Sequence, residues 1–164
     1  KFAQGHGNAF CLGILAENIK AFTAKMNEYL AAESGEPTYF VDYIYNDKNV
    51  NPEDILAIAS LDDLWGQDMP EALVAIEGLK VYGHQLTLMS PDKKPTIKIT
   101  LPNNTAILKF KSSQEEYDKL YREDGYVELN IVGTCNANTW NGITTAQIFI
   151  SDYEIISSKR EYVF

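Results

Sequence analysis

At 164 residues and 45% hydrophobic, the chain can bury one ordinary core, or one core and part of a second. Its net charge of −9 speaks against a surface that is basic throughout, and no stretch approaches the roughly 18 apolar residues of a membrane span. Cys11 and Cys135 stand apart with no CxxC, which argues against a structural zinc and fits a reducing, cytoplasmic setting. The run NAFCLGILA is too short for a signal peptide and lacks its basic flank. Charge is unevenly spread: residues 1–90 hold five Lys and Arg against thirteen Asp and Glu, residues 91–164 nine against ten. The second half can therefore present a local basic face.

In chain order, AENIKAFTAKMNEYLAAES (16–34) sets Ile19, Phe22, Met26 and Leu30 at helical spacing, and Gly35 with Pro37 stops it. TYFVDYIYN (38–46) is aromatic and alternating, the pattern of a strand. Asn51-Pro52-Glu53-Asp54 opens a second helix, Asn51 as N-cap and Pro52 at the first position, running to about Leu64. Beyond Pro70 the period becomes two. Residues 73–90 form a strand pair bent near Gly83, then PTIKITLP and TAILKFK pair across Asn103-Asn104. In the first of these Ile97, Ile99 and Leu101 face inward against Thr96, Lys98 and Thr100; in the second the inward set is Ala106, Leu108 and Phe110, against Ile107, Lys109 and Lys111. SSQEEYDKLYRED (112–124) is one short helix ended by Gly125, and GYVELNIVGT and TTAQIFISDYEII are two last strands joined by CNANTWNG. Three strands, one helix and two strands is the plan of an OB-fold, whose outer face commonly holds oligonucleotides. The fold class is α+β: an α/β segment over residues 1–70 followed by a five-stranded OB barrel over 71–164.

Three stretches carry a resemblance to a known family. GHGNAF (5–10) resembles the G-G-H-x-x-A signature of the DHH-associated domain, LDDLWGQDMPEALVAIEGLKV resembles the segment leading into the OB-fold of RecJ-type exonucleases, and VELNIVGTCNANTWNGITTAQIFISDYEI resembles their last strands. Gln4 stands in place of the first Gly of GGH, Cys11 near the final Gly, and Asp68-Met69 in place of a Gly-Asn. The resemblance implies the C-terminal, substrate-binding portion of a single-stranded-DNA-specific 5′-to-3′ exonuclease acting in repair and recombination. Its partners would be single-stranded DNA and its own N-terminal catalytic domain, with no membrane involved. The chain holds no DHH triplet and only two histidines, His6 and His84. It therefore reads as a piece cut from a longer enzyme just before GHG, inactive alone, binding no cofactor, with Mn or Mg expected in the missing domain.

Two candidate sites follow. In GHGNAF, glycine backbone N–H groups can approach a phosphate closely and a histidine can donate to its oxygens, so the resemblance makes Gly5, His6, Gly7 and Asn8 phosphate contacts; on spacing alone His6 is a turn residue between glycines. In the barrel, Lys98, Lys109 and Lys111 with Lys93 and Lys94 in the preceding turn can form a track for a sugar-phosphate backbone, and Trp140 can stack a base. The other reading is a solvated lysine face that protects strand edges, with Trp140 packed under its own hairpin, the favoured reading for that residue. No nucleophile motif, P-loop or dinucleotide fingerprint is present. The alternative function is a non-catalytic module docking a protein partner or the catalytic domain.

Overall fold

The structure, a computed structural model, describes residues 2–6, 9–33, 38–66 and 68–159. It divides the chain into two compact units, Lys1–Thr38 and Tyr39–Phe164. The first holds an antiparallel pair, β1 (Phe2–His6) and β2 (Ala9–Gly13), with His6 opposite Ala9. One 3-10 turn at Ala16–Asn18 then leads into α1, Ile19–Glu33. The helix lies where its spacing predicts it; the two strands before it are an addition to the sequence reading.

The second unit opens with β3, Tyr43–Asn46, shorter than the strand expected over 38–46. The residues just before it are tied by other bonds: Asp42 accepts from Leu73 N–H through its carboxylate (2.9 Å) and donates its own N–H to Leu73 O (2.8 Å), and Tyr39 donates to Asp152 (3.0 Å). Next, α2 (Pro52–Ala59) is capped as its sequence dictates, Asn51 Oδ1 accepting from Glu53 N–H at 3.1 Å. It ends earlier than Leu64, because Ser60 turns its hydroxyl back to Ala57 O (2.7 Å), and a separate 3-10 turn covers Asp62–Leu64.

Among the described residues, seven strands make one sheet, with β4 (Leu73–Tyr82), β5 (Leu86–Met89), β6 (Thr96–Thr100), β7 (Ala106–Phe110), β8 (Tyr126–Trp140) and β9 (Ile143–Lys159) joining β3 in the order β3-β4-β8-β9-β7-β6-β5. β3 runs parallel to β4 and β7 parallel to β9; the other neighbours are antiparallel. β4 and β5 are far apart in that order yet consecutive in the chain, joined by one 3-10 turn at Gly83–Gln85. Gly83 is required there, since a Cβ would strike the carbonyl of Arg122. Between β7 and β8 lies α3 (Gln114–Leu120), capped by Ser113 Oγ on Glu116 N–H (3.1 Å) and tied to β9 by Tyr153 donating to Glu116 (2.9 Å). Burial, and then this bond to a carboxylate, pushes the Tyr153 phenol above its ordinary pKa.

The core takes one face of every strand from β4 to β9, with Ile76, Leu79, Ile97, Ile99, Ile107, Leu129, Ile131 and Ile148 sealed from solvent. Ile55 of α2 and Tyr45 of β3 join this cluster. Residues Tyr45 and Ile55 thus pack with the strands that follow them, within the compact unit Tyr39–Phe164. β6 buries Ile97 and Ile99 as expected, but β7 has the opposite phase: Ile99 faces Ile107, which is fully buried, while Phe110 is 47% exposed. The run Ala106-Ile107-Leu108 is apolar at every position, so alternation within it cannot set the phase; the pairing with β6 does.

Candidate nucleic-acid interface

Cross-strand partners share a face of a sheet, so register locates each lysine. Lys98 is opposite Thr87 on β5 and Leu108 on β7; Thr96 on the same face is opposite Met89 and Phe110. Leu108 is in turn level with Phe149 on β9, and the Phe110 and Phe149 rings meet edge to face at 5.0 Å between centroids. This non-core face therefore presents one half-buried lysine beside two aromatic rings. The sequence reading missed both phenylalanines, having turned Phe110 inward. The signal that finds Phe110 is its pairing with Thr96, which no periodicity within β7 supplies.

Lys109 lies opposite Ile97, a core residue with no exposed surface, and so belongs to the other face from Lys98. The expectation that both point outward side by side is corrected by that register. Lys111 follows the end of β7 with φ 56°, which breaks alternation beyond the strand. Lys93 and Lys94 are exposed in the β5–β6 connection, where both N–H groups close on Ser90 O at 3.2 Å; Asp92 shares that loop.

Trp140 is not packed under its hairpin. It is 74% exposed on the last rung of the β8–β9 ladder, paired with Ile143, itself 68% exposed. Asn141 (φ 49°) and Gly142 (φ 78°) make the two-residue turn with both residues at positive φ, the tight geometry that leaves the final pair with no strand beyond it. Thr139 and Thr144 hydroxyls bond one rung below at 2.9 Å. Of the glycine-rich stretch, Gly5 and His6 end β1, opposite Phe10 and Ala9; Gly7 and Asn8 lie outside the described residues.

Two buried groups of the second unit serve its packing. Burial pushes the Cys135 thiol up to about 12, so it stays protonated at neutral pH, and the same cause raises the phenol of Tyr45. Among the described residues no three His, Cys, Asp or Glu side chains converge on a metal-sized site. The described residues therefore do not fit a two-metal centre. No described helix is long and apolar enough to cross a membrane.

No family model matches the chain. It is 28% identical, over 166 aligned residues that cover all of it and 29% of the relative, to the "Putative SPbeta prophage-derived single-strand DNA-specific exonuclease YorK" of Bacillus subtilis, and equally to the yorK product of Bacillus phage SPbeta. Among solved structures it is similar to RecJ from Thermus thermophilus, in complexes with Mn2+ and with Mg2+. The TM-score is 0.55 and the identity 17% in both, over 99% and 98% of this chain and 22% and 23% of RecJ. The chain is thus similar to these proteins over nearly all of its length and spans less than a third of theirs.

Proposed function

We propose that this chain is the single-strand-DNA-binding, C-terminal portion of a longer RecJ-like 5′-to-3′ exonuclease of DNA repair and recombination. Residues 1–70 would end its DHH-associated domain, with Gly5 and His6 touching the DNA backbone, and residues 71–164 form an OB-fold. Strand order supports the OB assignment. If β4 and β5 are two halves of one bent strand, the order β4-β8-β9-β7-β6-β5 closes into a five-stranded ring, with α3 between the third and fourth strands.

The observation that carries the reading is the company of Lys98. OB-folds hold oligonucleotides on the face of their second and third strands and in the loops after the first and fourth. Here those strands are β6 and β7, bearing Lys98, Phe110 and, alongside, Phe149; the loops carry Lys93 with Lys94 and the exposed Trp140. Aromatic rings stack bases at about 1–3 kcal/mol each, and ammonium groups meet the phosphates between them. The net charge of −9 does not oppose this, because fields are screened over about 8 Å at physiological salt and the local lysines dominate. Divalent metal, when bound in the part of the enzyme beyond this chain, would supply the activated water.

The test is titration of labelled single-stranded oligonucleotides at several salt concentrations with the full-length protein. Changing Lys93, Lys94 and Lys98 to Ala should weaken binding uniformly across sequences and flatten log affinity against log salt by about 0.7 for each phosphate left without its lysine. The pair Lys109→Ala and Lys111→Ala shows whether the strand also crosses the end of β7. An unchanged slope in both variants removes the DNA track and leaves protein docking as the account of this face.

A further inference from the structure

A pocket of about 300 Å³ opens beside the free part of the β4 edge, lined by none of the residues of the face just described. Its apolar floor comes from Val50, Leu79 and Leu101. β3 pairs with β4 only as far as Glu77, and past that point side chains replace the missing strand: Asp47 Oδ1 accepts from Lys80 N–H (3.1 Å) and Gln85 Oε1 from Tyr82 N–H (2.9 Å). Asn103 fixes a third wall, donating to Val50 O (2.8 Å) and accepting from Thr105 N–H (3.0 Å). The pocket is therefore held open by bonds already made within its walls.

Two features of the walls select a ligand. Lys48 and Lys80 line it against one acid, Asp47, in a chain where acids outnumber bases 23 to 14. Glu128, across the strand from Lys80, turns its carboxylate to the Ser157 hydroxyl at 2.8 Å. The second feature is a ladder of rings leading outward: buried Tyr126 meets half-buried Tyr82 at 5.6 Å between centroids, and Tyr82 stacks on exposed His84 at 5.8 Å and 27°. Lys80 Nζ stands 5.1 Å over the Tyr126 ring, which ties the cation to the ladder. An ammonium group beside stacked rings, with a second lysine in the pocket wall, suits a ligand that is planar at one end and anionic at the other.

We infer that this pocket and its ring ladder form a second site for one nucleotide unit, its phosphate between Lys48 and Lys80 and its base against the Tyr82 and His84 rings. Choosing a nucleotide among planar anions rests on the DNA reading above; the site itself rests on other residues. The unit is either a free deoxynucleoside monophosphate or one residue of a single strand.

The experiment is amide chemical-shift titration of the full chain, following Lys48, Lys80, Tyr82 and His84. Deoxyadenosine monophosphate should shift all four, and deoxyadenosine, lacking phosphate, should bind at least about tenfold more weakly. Lys48→Ala with Lys80→Gln should cost about tenfold or more in affinity for the monophosphate, Lys80→Arg should retain it, and Lys98→Ala should leave it unchanged. A loss with Lys98→Ala would mean one continuous site and would overturn the proposal. A ten-residue oligonucleotide that moves the same amides at lower concentration assigns the site to the strand; response to the monophosphate alone assigns it to the free nucleotide. No shift with either ligand at millimolar concentration, or shifts untouched by the double substitution, overturns the proposal while leaving the salt-slope test of the β6–β7 face unaffected.

Discussion

The two longer helices are built from similar sequence patterns and end in opposite circumstances. α2 is eight residues long, capped by Asn51 and Pro52, and puts Ile55 into the core with no exposed surface. α1 is fifteen residues long, yet Leu15 before it and Ile19, Tyr29 and Leu30 within it are all at least half exposed. Helix length is thus a poor guide to contribution: what a helix adds to stability is set by the apolar face it buries, and a short seated helix outweighs a long uncovered one.

The comparison can be broken at its strongest point with Ile55→Ala. Removing that fully buried side chain should cost about 2–5 kcal/mol, read as a fall in the denaturant midpoint with unchanged slope. A loss below about 1 kcal/mol would mean that α2 is not seated as described.

Cys135, in the same buried cluster, sharpens the point through pH. Its folded pKa of about 12 lies above that of an exposed thiol, near 8.5, so between these values the unfolded chain releases a proton that the folded chain keeps. Stability then falls as pH rises, by about 1.4 kcal/mol per unit, and is fully present below pH 8 or so. Subtracting the profile of Cys135→Ala should isolate this slope; identical profiles would remove the thiol from the buried cluster.

The smallest effect belongs to α1. Leu30→Ala should change stability by no more than about 0.5 kcal/mol, since the side chain is 55% exposed and alanine suits a helix at least as well. The measurement is thermal unfolding followed by far-ultraviolet circular dichroism, to which the helical residues of α1 contribute. A shift of several degrees would show that α1 is covered after all.

Sequence made some of this legible and not the rest, for reasons that differ by residue. Caps are local chemistry, so Asn51 and Ser113 announce α2 and α3 outright. The order after Pro70, a bent strand pair (β4 and β5), two more strands, a helix and two strands, was readable because its turns carry Gly, Pro and Asn. The face of β7 was not, because three consecutive apolar residues leave two phases equal until β6 chooses between them. The exposure of Trp140 escaped for a related reason: a large aromatic ring is more often packed, and only the placing of the Asn141-Gly142 turn one residue later puts it on the last rung. β1 and β2, five residues each, carry too little alternation to declare themselves.

The sheet order also governs when this unit can begin to hold itself together. Among the described strands β9 alone touches both β8 and β7, pairing in parallel with β7 across about forty residues of chain, and β4 reaches β8 only after about fifty. Hairpins such as β6–β7 gain their bonds from near neighbours at once, but the two pairings that unite the sheet must first close these long loops, an entropic cost met before any reward. A chain emerging residue by residue therefore keeps the edge of β4 bare until β8 is made, and that of β7 until β9, the last of the described strands. Loop closure makes the arrival of β9 the expected slow step of its folding, and the span before that arrival is when a neighbouring chain can most easily take its place.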